Sequence, residues 1–111
     1  MTLSKGKAAE QYAKSWLMQR GLQSVAQNIR YPFGEIDLIM RDASGLVFVE
    51  VKYRSSSAFG DASFAVTYQK QKRLKLAAQT YLKQHHCNQA HCRFDVVSIT
   101  GHEIQWIKNA F

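Results

Sequence analysis

The sequence predicts an α/β fold with element order α-β-β-β-α-β-β. Two stretches repeat apolar residues at the three- and four-residue spacing of an amphipathic helix. Two central segments alternate apolar and polar residues with period two, and a short period-two pair near the end closes about three turn-forming residues. At 111 residues these elements make one domain spanning residues 1–111.

The first helix is expected over residues 4–20, where Ala9, Tyr12, Ala13, Trp16 and Leu17 form one apolar stripe and Gly21 is placed to end it. A weaker strand follows around residues 22–29, and Tyr31-Pro32-Phe33-Gly34 turns the chain into a strand over 35–40. Asp42-Ala43-Ser44-Gly45 supplies the next turn, before a strand over 46–53. Residues 55–65, rich in Ser, Gly and Ala, read as a mobile loop suited to ordering on a ligand. Thr67 is placed to cap a helix running to about Gln84, with Leu74, Ala77, Ala78, Tyr81 and Leu82 on its buried face. Strands over 93–99 and 103–107, joined by Thr100-Gly101-His102, form a closing hairpin.

The net charge is +7 and the sequence pI about 9.7. That excess suggests a polyanionic partner, and the 46% hydrophobic content places it on a folded body rather than a disordered tail. No apolar stretch suits a secretory signal or a membrane span, so no membrane partner is expected. Cys87 and Cys92 read as reduced thiols of a cytoplasmic protein.

The central hairpin concentrates carboxylates. Closing it symmetrically about Ala43-Ser44 sets Arg41 opposite Leu46, Asp37 opposite Glu50 and Glu35 opposite Lys52. Opposed residues and those two apart on one strand share a face, so Asp37, Glu50 and Lys52 converge. Two carboxylates at that spacing repel and raise one another's pKa, a conflict that a divalent cation removes. Lys52 is suited to holding the attacking water or stabilising charge on a phosphate. Glu10, on the flank of the first helix, points either to this patch or to water. The plainer alternative is a charged outer face with a Glu35–Lys52 ion pair. Against it, Ile39, Leu46 and Phe48 share the acidic face, while Ile36, Leu38, Met40, Val47, Val49 and Val51 make the other wholly apolar, which suggests the rim of a covered surface.

Gly34-Glu35-Ile36-Asp37, the 13-residue step to Glu50-Val51-Lys52 and the upstream helical Glu10 resemble the PD-(D/E)XK nuclease superfamily. More narrowly, the chain is similar to the YraN-like family of uncharacterised bacterial proteins, itself similar to archaeal Holliday-junction resolvases. The likeness extends through Arg93-Phe94-Asp95-Val96-Val97. It implies a restriction-endonuclease-like fold, a mixed central sheet flanked by helices. It also implies Asp37, Glu50 and Glu10 as ligands of Mg²⁺ or Mn²⁺, Lys52 as the catalytic lysine, and a homodimer. It assigns no role to Glu35 or Asp95.

The function expected on these grounds is metal-dependent endonucleolytic hydrolysis of DNA, with branched or structured DNA as candidate substrate. Arg54, Lys70, Lys72, Arg73 and Lys75 are candidate contacts to the phosphate backbone, and Tyr53, Phe59 and Phe64 candidate stacking residues. The alternatives are a non-catalytic nucleic-acid-binding protein of the same fold, and an interaction domain using its basic face. The segment His85-His86-Cys87-Asn88-Gln89-Ala90-His91-Cys92 gathers potential zinc ligands, but its spacing suits a polar helix end and turn better than a closed zinc site.

Overall fold

A computed structural model describes residues 5–54, 66–87 and 91–111. The chain runs α1 (Lys5–Gln19), β1 (Gln23–Tyr31), β2 (Gly34–Asp42), β3 (Gly45–Arg54), α2 (Tyr68–Gln84), β4 (Cys92–Thr100) and β5 (Glu103–Ile107). The strands form one sheet in sequence order, antiparallel except for the parallel β3–β4 pair. The architecture is thus α/β with a mixed sheet. Returning from β3 to a parallel neighbour requires a crossover, and α2 lies on that connection. The expected mobile loop over 55–65, with Phe59 and Phe64, lies outside the described residues.

The two sheet faces carry separate cores. On one, Ala9, Ala13 and Leu17 of α1 pack against Leu38, Met40, Val47, Val49, Val97 and Ile99. Gly21, at φ +98°, lets the chain leave that helix, with its N–H on the Met18 carbonyl. Tyr12, assigned to the stripe from its spacing, is instead 51% exposed, because the small Ala9 and Ala13 bring α1 close to the sheet and leave the stripe's edge outside. On the other face Leu74, Ala77, Ala78, Tyr81 and Leu82, the whole predicted stripe of α2, pack against Ile36, Ile39, Leu46 and Phe48. Thr67 caps this helix, its hydroxyl accepting from the Lys70 N–H at 3.1 Å.

The hairpin register is the predicted one, from Asp42–Gly45 out to Leu38–Val49. One face assignment changes. Ile36 belongs to the α2 core although Leu38 belongs to the α1 core, so strict alternation fails at Asp37. Gly34 shows why the strand can move that way: a Cβ there would sit 2.8 Å from the Arg73 carbonyl oxygen, so only glycine lets the start of β2 press on α2.

Asp95 ties the other end of the sheet together. It is fully buried in β4 and accepts from Arg93 Nε at 3.0 Å, Trp106 Nε1 at 2.9 Å and the Asn109 N–H at 2.9 Å. Arg93 reaches on to Asp42 Oδ2 at 2.6 Å, joining β4 to the β2–β3 turn. Asp95→Ala would leave an indole N–H and a backbone N–H without their acceptor and Arg93 with Asp42 as its remaining carboxylate. It should cost about 3–5 kcal/mol in urea unfolding, and a loss below about 1 kcal/mol would show that these bonds carry little of the stability.

Candidate active site

The β2–β3 ladder stops at Leu38–Val49, one pair before Asp37 and Glu50. Upstream of that point β2 stays paired with β1 through Arg30–Glu35 and Tyr31–Gly34, so the β1–β2 end swings toward α2 while β3 continues beside β4. The Asp37 carboxylate fills the break, its Oδ2 accepting the Val51 N–H at 2.9 Å. This splay opens two adjoining hollows, of about 490 and 470 Å³, which share Asp37, Glu50 and Lys70.

Glu50 is 3% exposed, on the face covered by α2. Lys70 Nζ lies 2.5 Å from its Oε1, and Lys52 Nζ lies 3.7 Å from the same atom. Glu10 and Lys52 line the second hollow, so the structure brings all four predicted site residues to one place. The Glu35–Lys52 ion pair does not form: Glu35 has moved with the departing strand and meets Arg30 Nε at 3.5 Å. Lys70, a candidate contact to the phosphate backbone, is also the nearer cationic partner of Glu50. The signal for this lay in the connectivity, because a crossover helix begins beside the end of the strand that feeds it, where Glu50 and Lys52 stand.

Burial, the charge of Glu50 and that of Glu10 push the Asp37 carboxyl up to about 7, against the pull of the Val51 N–H. Burial also raises Glu10, helped by Glu35 and Glu50 and opposed by Lys7. Burial and the adjacent Lys70 ammonium lower Lys52. Burial acts downward on Lys70 too, but its contact with Glu50 outweighs that and leaves its pKa raised.

The remaining basic candidates divide. Lys72, Arg73 and Lys75 line a third hollow between α2 and the β1–β2 turn, and Arg73 also borders the Asp37–Glu50 hollow. Arg54 lines none of these three, and its Nε is buried without a hydrogen-bond partner among the described residues. Tyr53 is exposed beside Tyr12. In the His/Cys segment, His85 Nδ1 lies 3.0 Å from the Tyr81 carbonyl and the Cys87 thiol donates to the His85 carbonyl, while residues 88–90 lie outside the described residues. No helix among the described residues is long and apolar enough to cross a membrane.

The family model described as "Uncharacterised protein family UPF0102" matches residues 9–99, which include Glu10, Asp37, Glu50, Lys52 and Asp95. The chain belongs to the UPF0102 family. A UPF0102 protein of Aeromonas hydrophila is 53% identical over 110 residues, covering 97% of this chain and 85% of its own. One of Shewanella oneidensis is 50% identical over 111 residues, covering the whole of both chains. A third, of Klebsiella pneumoniae, is 51% identical over 112 residues, covering 96% of this chain and 84% of its own.

Among the described residues of this UPF0102 chain, no three His, Cys, Asp or Glu side chains gather closely enough to hold a metal ion. Glu10 therefore does not join Asp37 and Glu50 as the third ligand of a closed cluster. The acidic pair still fits a hydrated Mg²⁺ or Mn²⁺, which needs only one or two protein carboxylates beside water and phosphate. Two features of the pair fit a cation. Asp37 is raised by its acidic neighbour, and an ammonium already lies against Glu50.

The raised Asp37 makes folding depend on pH. Its carboxyl titrates at about 7 in the folded UPF0102 chain against 3.8 when freely exposed, so folding takes up a proton between those limits. The stabilisation is complete below about pH 4 and is lost as pH rises toward 7, by roughly 4 kcal/mol for this one group. Urea melts in chelator should show that slope in the wild type and its loss in Asp37→Asn, while Glu50→Gln should move it to lower pH. Equal slopes in wild type and Asp37→Asn would show that the carboxyl is not held above its ordinary value.

Proposed function

We propose that this UPF0102 chain is a divalent-metal-dependent endonuclease of the PD-(D/E)XK superfamily, with a restriction-endonuclease-like fold, acting on DNA and foremost on branched or structured DNA. The observation that carries this reading is the convergence of Asp37 and Glu50, with Lys52 and Lys70, where hollows lined by basic residues meet. Scattered surface charge would not retain two buried acids beside one another, because each raises the cost of ionising the other.

Asp37 and Glu50 would hold the cation. Mg²⁺ or Mn²⁺ bound there supplies Lewis-acid polarisation of the scissile phosphate and a more acidic water. Lys52, as an ammonium, stabilises the negative charge that grows on the phosphate oxygens in the transition state. In its neutral form, which the lowered pKa favours, the same amine would accept a proton from the attacking water and so become that ammonium. Glu10, on the wall of the same hollow, adds an oxygen that orients water. Lys70 neutralises Glu50, and its ammonium would also meet an incoming phosphate. A homodimer belongs to this proposal, since cutting two strands symmetrically needs two sites related by a two-fold axis.

The Lys70–Glu50 pair also favours a second reading, a nucleic-acid-binding protein that keeps the fold and stabilises its buried acid with a lysine instead of a metal. Cleavage of junction, flap and linear duplex DNA separates the two. Wild type should cut with Mg²⁺ or Mn²⁺ and not with chelator, while Asp37→Asn and Lys52→Ala should each lose about 10²-fold or more. Added Mg²⁺ should raise the Tm of the wild type and not of Asp37→Asn. DNA binding without cleavage in either metal, together with no metal-dependent Tm shift, would replace the nuclease by the binding protein.

A further inference from the structure

The ring of Tyr31 lies parallel to that of Phe33, with centroids 5.4 Å apart and planes 3° from parallel. Tyr31 is fixed from behind, its hydroxyl donating to Gln84 Oε1 of α2 at 2.8 Å. Phe33 lies at the turn and is 37% exposed. One side of the Phe33 ring is therefore covered by a ring that α2 holds in place, and the residue borders open solvent. Tyr31 packs against the α2-side core, whereas Phe33 belongs to neither core.

Around this pair runs the hollow between the β1–β2 turn and α2, of about 950 Å³, whose cations are Arg30, Lys72, Arg73 and Lys75 and whose acid is Glu35. Gly34, Glu35 and Arg73 border both this groove and the Asp37–Glu50 hollow, so the two are continuous. The same close approach of Gly34 to the Arg73 carbonyl that splays the hairpin also sets the turn at this distance from the helix.

We propose that this groove binds an unpaired polynucleotide strand leading away from the Asp37–Glu50 hollow, with a base stacked on Phe33 and backbone phosphates on Arg30, Lys72 and Arg73. The proposal rests on the nuclease reading for where the strand leads, but the binding stands apart from cleavage. Charge complementarity selects a polyanion, and the ring selects among polyanions. A base in a duplex has both faces occupied by its neighbours, whereas an unpaired base can offer one to an aromatic platform. Oligonucleotide chemistry supplies a π-face and a phosphate within one nucleotide; an acidic peptide supplies only the charge.

The test measures binding by the wild-type chain and its variants in chelator, so that no cleavage intervenes. The probes are a fluorescein-labelled oligodeoxythymidine and a blunt mixed-sequence duplex of equal length. Phe33→Ala should weaken oligodeoxythymidine binding by about 5- to 100-fold, the range expected for one base–aromatic stack, while changing duplex binding less than about twofold. Phe33→Trp should restore the affinity, and Phe33→Leu, which keeps apolar bulk without a ring, should not. Joint Lys72→Ala and Arg73→Ala should flatten the salt dependence of single-strand binding by about 0.7 in log–log slope for each phosphate no longer neutralised. Wild-type single-strand affinity in Phe33→Ala, or equal weakening on single strand and duplex, would overturn the proposal. So would a polyglutamate peptide that displaces the oligonucleotide as well as unlabelled oligodeoxythymidine does. If cleavage by the wild type proves absent while the Phe33-dependent binding holds, only the nuclease reading falls. Should duplex cleavage be present with Phe33 irrelevant, only the groove assignment falls.

Discussion

The bond from the Val51 N–H to the Asp37 carboxylate is the constraint on which the site depends. A hairpin that separates midway leaves backbone groups without ladder partners, and a buried N–H left so costs about 1–3 kcal/mol. Asp37 supplies an acceptor from its side chain at the first step beyond the last ladder pair, so β3 runs on beside β4 while β2 departs with β1. The arrangement solves one problem and creates another. The carboxylate that satisfies the backbone is buried next to Glu50, and the two acids then need positive charge nearby. Lys70 and Lys52 supply it in this state.

The second helix serves both halves of the candidate machinery because of how it is connected. As the crossover between parallel strands it starts beside the end of β3 and runs back along the sheet. Its first turn delivers Lys70 to Glu50, its next exposed positions deliver Lys72, Arg73 and Lys75 to the groove, and its apolar stripe seats the sheet. Gly34 couples these roles, since the absent side chain is what lets the departing strand lie against Arg73. Site and groove are therefore two results of one packing contact.

This division explains what could be read in the sequence. Hairpin register followed from turn chemistry and period-two alternation, which are local, and it held pair by pair from Asp42–Gly45 to Leu38–Val49. The stripe of α2 was legible for the same reason. Ile36 and Glu35 were misplaced because each depends on where β2 leaves β3, which is decided by contact between Gly34 and a helix some 40 residues downstream. Periodicity is blind to such a contact. Tyr12 departs for a different reason: its spacing suits the stripe, but two alanines on the same face decide how closely the helix approaches the sheet.

The chain contains a comparison that bears on which acids belong to a site. Asp95 and Asp37 are both carboxylates set into the sheet, each next to apolar strand residues. Asp95 has its negative charge met by Arg93, Trp106 and the Asn109 backbone, all donors and all supplied by the folded scaffold. Such an acid is complete, and its effect is to hold β4, β5 and the β2–β3 turn together. Asp37 receives one backbone N–H, has two carboxylates close enough to raise its pKa, and borders two open hollows. Burial alone does not separate these residues, and neither does strand position. Completeness of the donor set does: where the scaffold satisfies an acid the role is structural, and where it leaves the acid short of positive charge beside open space, a ligand's charge has somewhere to go.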